Sequence, residues 1–143
     1  MKTLSKILLS SLFLIIAGCS TTPREMRADA NEKGTLKVDM PFEIVRANVL
    51  MQARKCYDGK LRVSYNEHVI EDIKPGEYTA LHVLHKGASP TVRVSHSFDI
   101  KKNSSGGTEV SWFIAGLITK DFKPTIEYWV KGLEGRCGMV YDK

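Results

Sequence analysis

The chain has little with which to do metal or redox chemistry. Its 143 residues include three cysteines and four histidines. It has no C-x-x-C and no H-x-H, so the clustered ligand spacing of a zinc site is missing. His82 and His85 stand three apart on a predicted strand and so face opposite ways. No metal and no cofactor is expected. Nor is there an apolar run of the roughly 18 residues that a spanning helix needs. The N-terminal run Ile7–Ile16 is shorter and is interrupted by Ser10 and Ser11. No internal repeat is visible. No large excess of one charge exists either: the formal net charge is +5, and Lys2 and Lys6 supply two of those charges. Without that pair the balance is that of an ordinary solvated surface, and no nucleic-acid partner is expected.

Lys2 and Lys6 precede the apolar run, and the small residues Ala17 and Gly18 follow it. This is the anatomy of a secretory signal peptide over residues 1–18. Its end, Ile16-Ala17-Gly18-Cys19, resembles the lipobox of bacterial lipoproteins. The resemblance implies that the Cys19 thiol receives a diacylglycerol, that the chain is cut before Cys19, and that the new amine is acylated with a chain such as palmitate. Several acyl chains give a stable hold on a membrane that one chain does not. Ser20 follows Cys19, where inner-membrane lipoproteins carry Asp. By the same resemblance this implies the outer membrane, with the domain on its periplasmic side.

With Cys19 acylated, Cys56 and Cys137 remain. In an oxidising compartment two such cysteines are expected to pair. Two free buried thiols, or a metal site shared with histidines, are the alternatives. A bridge would close a loop of about 80 residues, and chain entropy gives such a loop about 4.5 kcal/mol.

Residues 19–35 are polar with no apolar period and read as a lipidated, flexible tether. Residues 36–143 read as a single α+β domain. Leu36–Met40 alternates as a first strand. Phe42, Val45, Val49, Ala53 and Cys56 recur at helical steps, with Asp39 as cap and Pro41 in the first turn. Leu61, Val63 and Tyr65 alternate, and residues 66–76 are indistinct. Tyr78, Ala80, His82 and Leu84 share a face of the next strand. Val92, Val94, His96, Phe98 and Ile100 alternate most clearly. Asn103–Gly107 is a hairpin loop, and Val110, Trp112 and Ile114 continue beyond it. Ile126, Trp129, Val130, Leu133 and Cys137 step as a last helix, ended by Gly135 or Gly138. The order β-α-β-β-β-β-α predicts an antiparallel meander of four to five strands packed against two helices. It also sets a cysteine at the end of each helical stripe, both facing inward.

No catalytic residues emerge. Ser95, His96, Ser97 and Asp99 hold the ingredients of a hydrolytic triad, but on a strand His96 faces away from Ser95 and Asp99. The glycine-rich Asn103–Gly107 stretch precedes a strand and not a helix, so it lacks a phosphate cradle. Tyr78, His82, His96, Phe98, Trp112 and Trp129 are candidates for an apolar groove between helix and sheet, against the plainer reading that they are core.

The Ala53–Tyr57 helix end (A-R-K-C-Y) and the late Trp129, Gly132 and Cys137 resemble a loose group of small proteobacterial lipoproteins. The element order is similar to helix-grip domains, including those in lipoprotein subunits of the outer-membrane barrel-assembly machinery. Trp129-Val130-Lys131-Gly132-Leu133-Glu134 is similar to a W-x-K-G-x-E stretch of membrane-bound lysozyme inhibitors, although their S-G-x-x-Y loop has no counterpart. These resemblances imply a non-enzymatic envelope component that binds a protein or an apolar ligand. A cell-wall enzyme and a lysozyme inhibitor are the alternatives.

Overall fold

The computed structural model describes residues 22–58, 60–61, 64–87, 92–115, 121–134 and 136–137. The segment expected to be a signal peptide, residues 1–18, and Cys19 lie outside these residues. The elements in chain order are α1 (Pro23–Asp29), β1 (Glu32–Val38), α2 (Phe42–Tyr57), β2 (Lys60–Leu61), β3 (Ser64–Lys74), β4 (Tyr78–Lys86), β5 (Val92–Lys102), β6 (Thr108–Ile114) and α3 (Lys123–Val130). The fold class is α+β, as expected. Five long strands form one antiparallel sheet, and the two-residue β2 extends it. The order across the sheet is β1-β6-β5-β4-β3-β2. The meander runs from β2 to β6, and β1 closes on β6 with Leu36 opposite Val110. The indistinct stretch 66–76 is mostly strand, because it pairs with β4 from Asp72↔Thr79 to Asn66↔His85.

The α2 stripe is inward as read: Phe42, Val45, Val49 and Ala53 are buried, and Cys56 is half-buried against the same core. They meet Leu81, Val83, Phe98, Ile100, Val110, Trp112 and Ile114 from the sheet, and Phe122, Ile126, Trp129 and Val130 from the α3 region. Each such side chain contributes about 1.5–3 kcal/mol when buried. Pro41, not Asp39, is the N-cap of α2, and no side chain caps that end. Gly34 lies opposite Trp112, and a β-carbon there would stand 2.3 Å from the indole. Only glycine leaves room for that ring.

Helix α3 stops earlier than its apolar stepping predicts. Gly132 takes φ +72°, where its N–H bonds the Trp129 carbonyl and the Leu133 N–H bonds the Tyr128 carbonyl. This pair of bonds is the Schellman stop, built on a left-handed glycine. Gly132 therefore ends the helix, and Leu133 is left exposed. The chain then returns to α2, and Cys56 and Cys137 are disulfide-bonded with Cα atoms 5.2 Å apart. Lys55 and Glu134 pair beside the bridge.

The sheet is covered on both faces, and this corrects the expected two-helix plan. Residues 19–35 read as a tether, yet Pro23–Asp29 is helical and β1 begins at Glu32. Helix α1 lies against β5 and β6 on the face opposite α2 and α3, and Met26 is fully buried there. Such a short helix is marginal alone and needs tertiary support. Thr22 and Glu25 form a capping box: the Glu25 N–H donates to Thr22 Oγ1 at 3.3 Å, and the Thr22 N–H donates to Glu25 Oε2 at 3.1 Å. Pro23 occupies the first turn, where its missing N–H costs nothing.

Candidate functional site: the polar face under helix α1

The six groove candidates do not converge. His96, Phe98, Trp112 and Trp129 lie on the α2–α3 side. Tyr78 and His82 lie on the α1 side, because His82 pairs with Ser97 and Tyr78 with Lys101. Strand β4 is buried from Thr79 to Val83, so its two sets of side chains serve two different layers. On the α2–α3 side the space is filled. Phe98 and Trp129 are fully buried, with ring centroids 5.5 Å apart, and Phe122 meets Trp129 edge-on at 5.6 Å. Among the described residues these side chains pack together as an aromatic core, the plainer of the two readings of the sequence. His96 closes its rim, 4.1 Å from the Tyr57 ring and 6.3 Å from that of Phe98. Burial pushes its pKa down from 6.5 to about 3, so the ring is neutral.

Ser95 and His96 are adjacent, and alternation predicts opposite faces. A β-bulge changes this. Val83 pairs with His96 while Leu84 pairs with Val94, which makes Ser95 the extra residue. The Ser95 hydroxyl donates to the Val83 carbonyl at 3.1 Å and so accepts from His96 Nδ1 at 2.9 Å. The bulge also moves Val94 to the α1 side, out of the face it was expected to share with Phe98. Asp99 lies on the α1 side as well, so Ser95, His96 and Asp99 form no relay.

On the α1 side, polar groups gather under a helix. Arg27 donates to Asp99 Oδ1 at 2.7 Å, with the carboxylate 8% exposed. Its guanidinium also stands 5.7 Å from the Phe113 ring centroid. Next to this pair, His82 Nδ1 and Ser97 Oγ are 2.9 Å apart and both residues are buried. Glu71 Oε2 is 3.9 Å from His82 Nε2. Desolvation, helped by the Arg27 charge, lowers the His82 pKa, while Glu71 and Asp99 pull the other way. Tyr78 is pushed up by burial and by the Asp99 charge, so its phenol stays protonated.

Ser97, His82 and Glu71 are the residue types of a nucleophilic relay in sequence around the sheet. Ser97 is fully buried, however, and the long His82–Glu71 separation is no hydrogen bond. Hydroxyl and imidazole satisfy each other inside the protein. His85 faces the other way and contacts Asn66 Oδ1 at 3.0 Å. Among the described residues no three His, Cys, Asp or Glu side chains are placed to hold a metal, and no helix is long and apolar enough to cross a membrane.

Residues read as loops or resemblances have plain structural duties. Asn103 folds its turn through Ser105 and the Gly107 carbonyl, and with Ser105 it lines a shallow, open recess beside Lys37, Val38 and Asp39. In the W-x-K-G-x-E stretch, Trp129 packs in the core and donates to the Arg136 carbonyl at 2.7 Å. Gly132 stops α3, and Glu134 pairs with Lys55. Arg27 and Met26 are the residues that sequence reasoning missed, and with them the pairing of Asp99 to Arg27. Their signal was present: Thr22-Pro23-Arg24-Glu25 is a capping box with proline at the first helical position. The chain matches no family model and no curated protein.

Proposed function

We propose that the chain is a lipid-anchored lipoprotein of the cell envelope, held through Cys19 at the periplasmic side of the outer membrane, and that it acts by binding a protein partner rather than by catalysis. The observation that carries this reading is the Ile16-Ala17-Gly18-Cys19 lipobox behind a charged and apolar leader. The Cys56–Cys137 bridge suits an oxidising compartment. The sealed Ser97–His82 pair and the engaged Asp99 support a binding role over hydrolysis. The long α2, which joins edge strand β1 to the opposite edge and lies across one face, supports the helix-grip comparison.

The position of α1 sharpens the anchor. Helix α1 is capped at Thr22, three residues after Cys19. An extended chain covers at most about 3.5 Å per residue, so the folded domain begins within roughly 10 Å of the acylated cysteine. A lipoprotein built this way rests against the headgroups and does not swing on a long tether. Acyl labelling and fractionation test the proposal. Labelling and membrane retention should both vanish in Cys19→Ala. Native protein with residue 19 bare, or with residues 1–18 still attached, would overturn it. In-cell crosslinking should recover a stoichiometric envelope protein. Peptidoglycan turnover lost on replacing His82 would instead favour an enzyme.

A further inference from the structure

Residues 19–35 have the composition of a tether, and Pro23–Asp29 within them is folded down as α1. Docked and released, such a segment differs in reach. Docked, α1 is capped at Thr22, next to the anchor cysteine. Released, the free chain runs on to Glu32, where β1 pairs with Ile114 and the Asn31 N–H bonds the Ile114 carbonyl at 2.9 Å. That length of chain spans roughly 45 Å fully extended and about 20 Å on average when flexible. Strand β1 is paired with β6 from Glu32 to Val38, so the sheet stays closed when α1 leaves.

The surface that α1 covers suits release. Met26 is the buried residue of the helix. Beside it lie Asp99, Ser97 and His82, polar groups that water can satisfy. A seven-residue helix has little stability of its own. The charges around His82 make its docking sensitive to acid. Arg27 faces His82 from α1, Glu71 from β3 with Oε2 at 3.9 Å, and Asp99 from β5. Tyr78 stands on the same strand and is linked to Asp99, and the β6 residue at the level of Ser97 is Phe113. Desolvation and the Arg27 charge outweigh the two carboxylates and hold the docked ring below its ordinary 6.5. Release removes both, so the released form takes up a proton more readily. Docking is therefore strongest above about pH 6.5 and weakens as pH falls below it.

We propose that α1 is a retractable section of the membrane tether, latched by Arg27 on Asp99 and released in acid by protonation of His82. Docked, it holds the domain at the headgroups. Released, it lengthens the chain between Cys19 and the sheet, and the domain moves off the membrane while remaining folded. This lengthening presupposes the lipid anchor at Cys19.

Tryptic cleavage after Arg24 and Arg27 of the full-length protein reads release without reference to the anchor. Each rate is divided by that of a free peptide of residues 20–31 at the same pH. The ratio should rise about tenfold from about pH 7.5 to about pH 5.5, the effect of one proton. His82→Gln should abolish the rise, and Asp99→Asn should be cut fast at both pH values. An unchanged ratio in the wild-type chain, a rise that survives in His82→Gln, or slow cleavage of Asp99→Asn would overturn the latch. Reach is read separately, by energy transfer from the two tryptophans, Trp112 and Trp129, to dansyl-labelled headgroups in phosphatidylethanolamine vesicles holding the acylated protein. Transfer should fall by about half over the same pH range, as the mean reach grows from roughly 10 Å to roughly 20 Å. Constant transfer from vesicle-bound protein would overturn the retractable tether. A native chain that is never acylated would overturn the anchor, and the tether with it, while the cleavage ratio still reported on α1.

Discussion

Under α2 and α3 the sheet buries Phe98, Ile100, Val110, Trp112 and Ile114 against Val45, Val49, Ile126 and Trp129. Under α1 it buries His82, Ser97 and Asp99 with Met26 and Ala80. The first face needs only shape and apolar area, and several side chains share the load of each contact. The second needs named partners: Arg27 for Asp99 and Ser97 for His82. A polar group buried without its partner costs about 1–3 kcal/mol, so this face depends on α1 being present. One face is thus tolerant in detail and decisive in total, while the other is specific and closed by seven residues of helix.

The contrast can be broken from either side. Trp129→Ala should be the most damaging change, about 3–5 kcal/mol, because it empties the centre of the aromatic cluster. Urea unfolding would show it as a loss of the whole cooperative transition midpoint. Replacing Cys56 and Cys137 together by Ser should cost about 2–5 kcal/mol by the same assay, since the bridge joins residues 81 apart. Met26→Ala should cost about 2 kcal/mol and do so differently. Limited proteolysis should cut near residues 24–27 while the rest of the domain stays intact, because α1 can detach without opening the larger core.

Acid should loosen both faces modestly. His82 and His96 both have lowered pKa values in the folded state, burial being the first cause for each. The unfolded chain takes up protons near pH 6.5, and the folded chain does so only at lower pH. Stability is therefore full above about pH 6.5 and declines as pH falls toward 3. His96→Phe should flatten the decline in melting temperature between pH 7 and pH 4. An unchanged slope would show that carboxylates alone set it.

The tolerant face was the legible one. Phe42, Val45, Val49 and Ala53 recur at helical spacing, and Val110, Trp112 and Ile114 alternate, because each set answers to a single layer. Strand β4 answers to two layers, so its alternation of Tyr78, Ala80, His82 and Leu84 gave no sign of which set lay under the helices. The bulge at Ser95 is a matter of backbone pairing and leaves no mark in side-chain pattern. Helix α1 was hidden for another reason: it carries one large apolar residue, Met26, among mostly charged neighbours, and too short a stretch for a period to show. Its capping box was the only local signal. At Gly132 the apolar stepping through Leu133 masked a glycine whose left-handed backbone ends the helix.

Hydrogen exchange over residues 23–31 of the full-length protein bears most directly on the closed polar face. If α1 is part of the fold, the amides of Met26 and of the residues after it exchange slower than in a free chain by on the order of a hundredfold, and Asp99→Ala erases most of that protection while β5 stays protected. Exchange at free-chain rates in the unaltered protein would mean that residues 19–35 are a tether after all and that His82, Ser97 and Asp99 lie open to water.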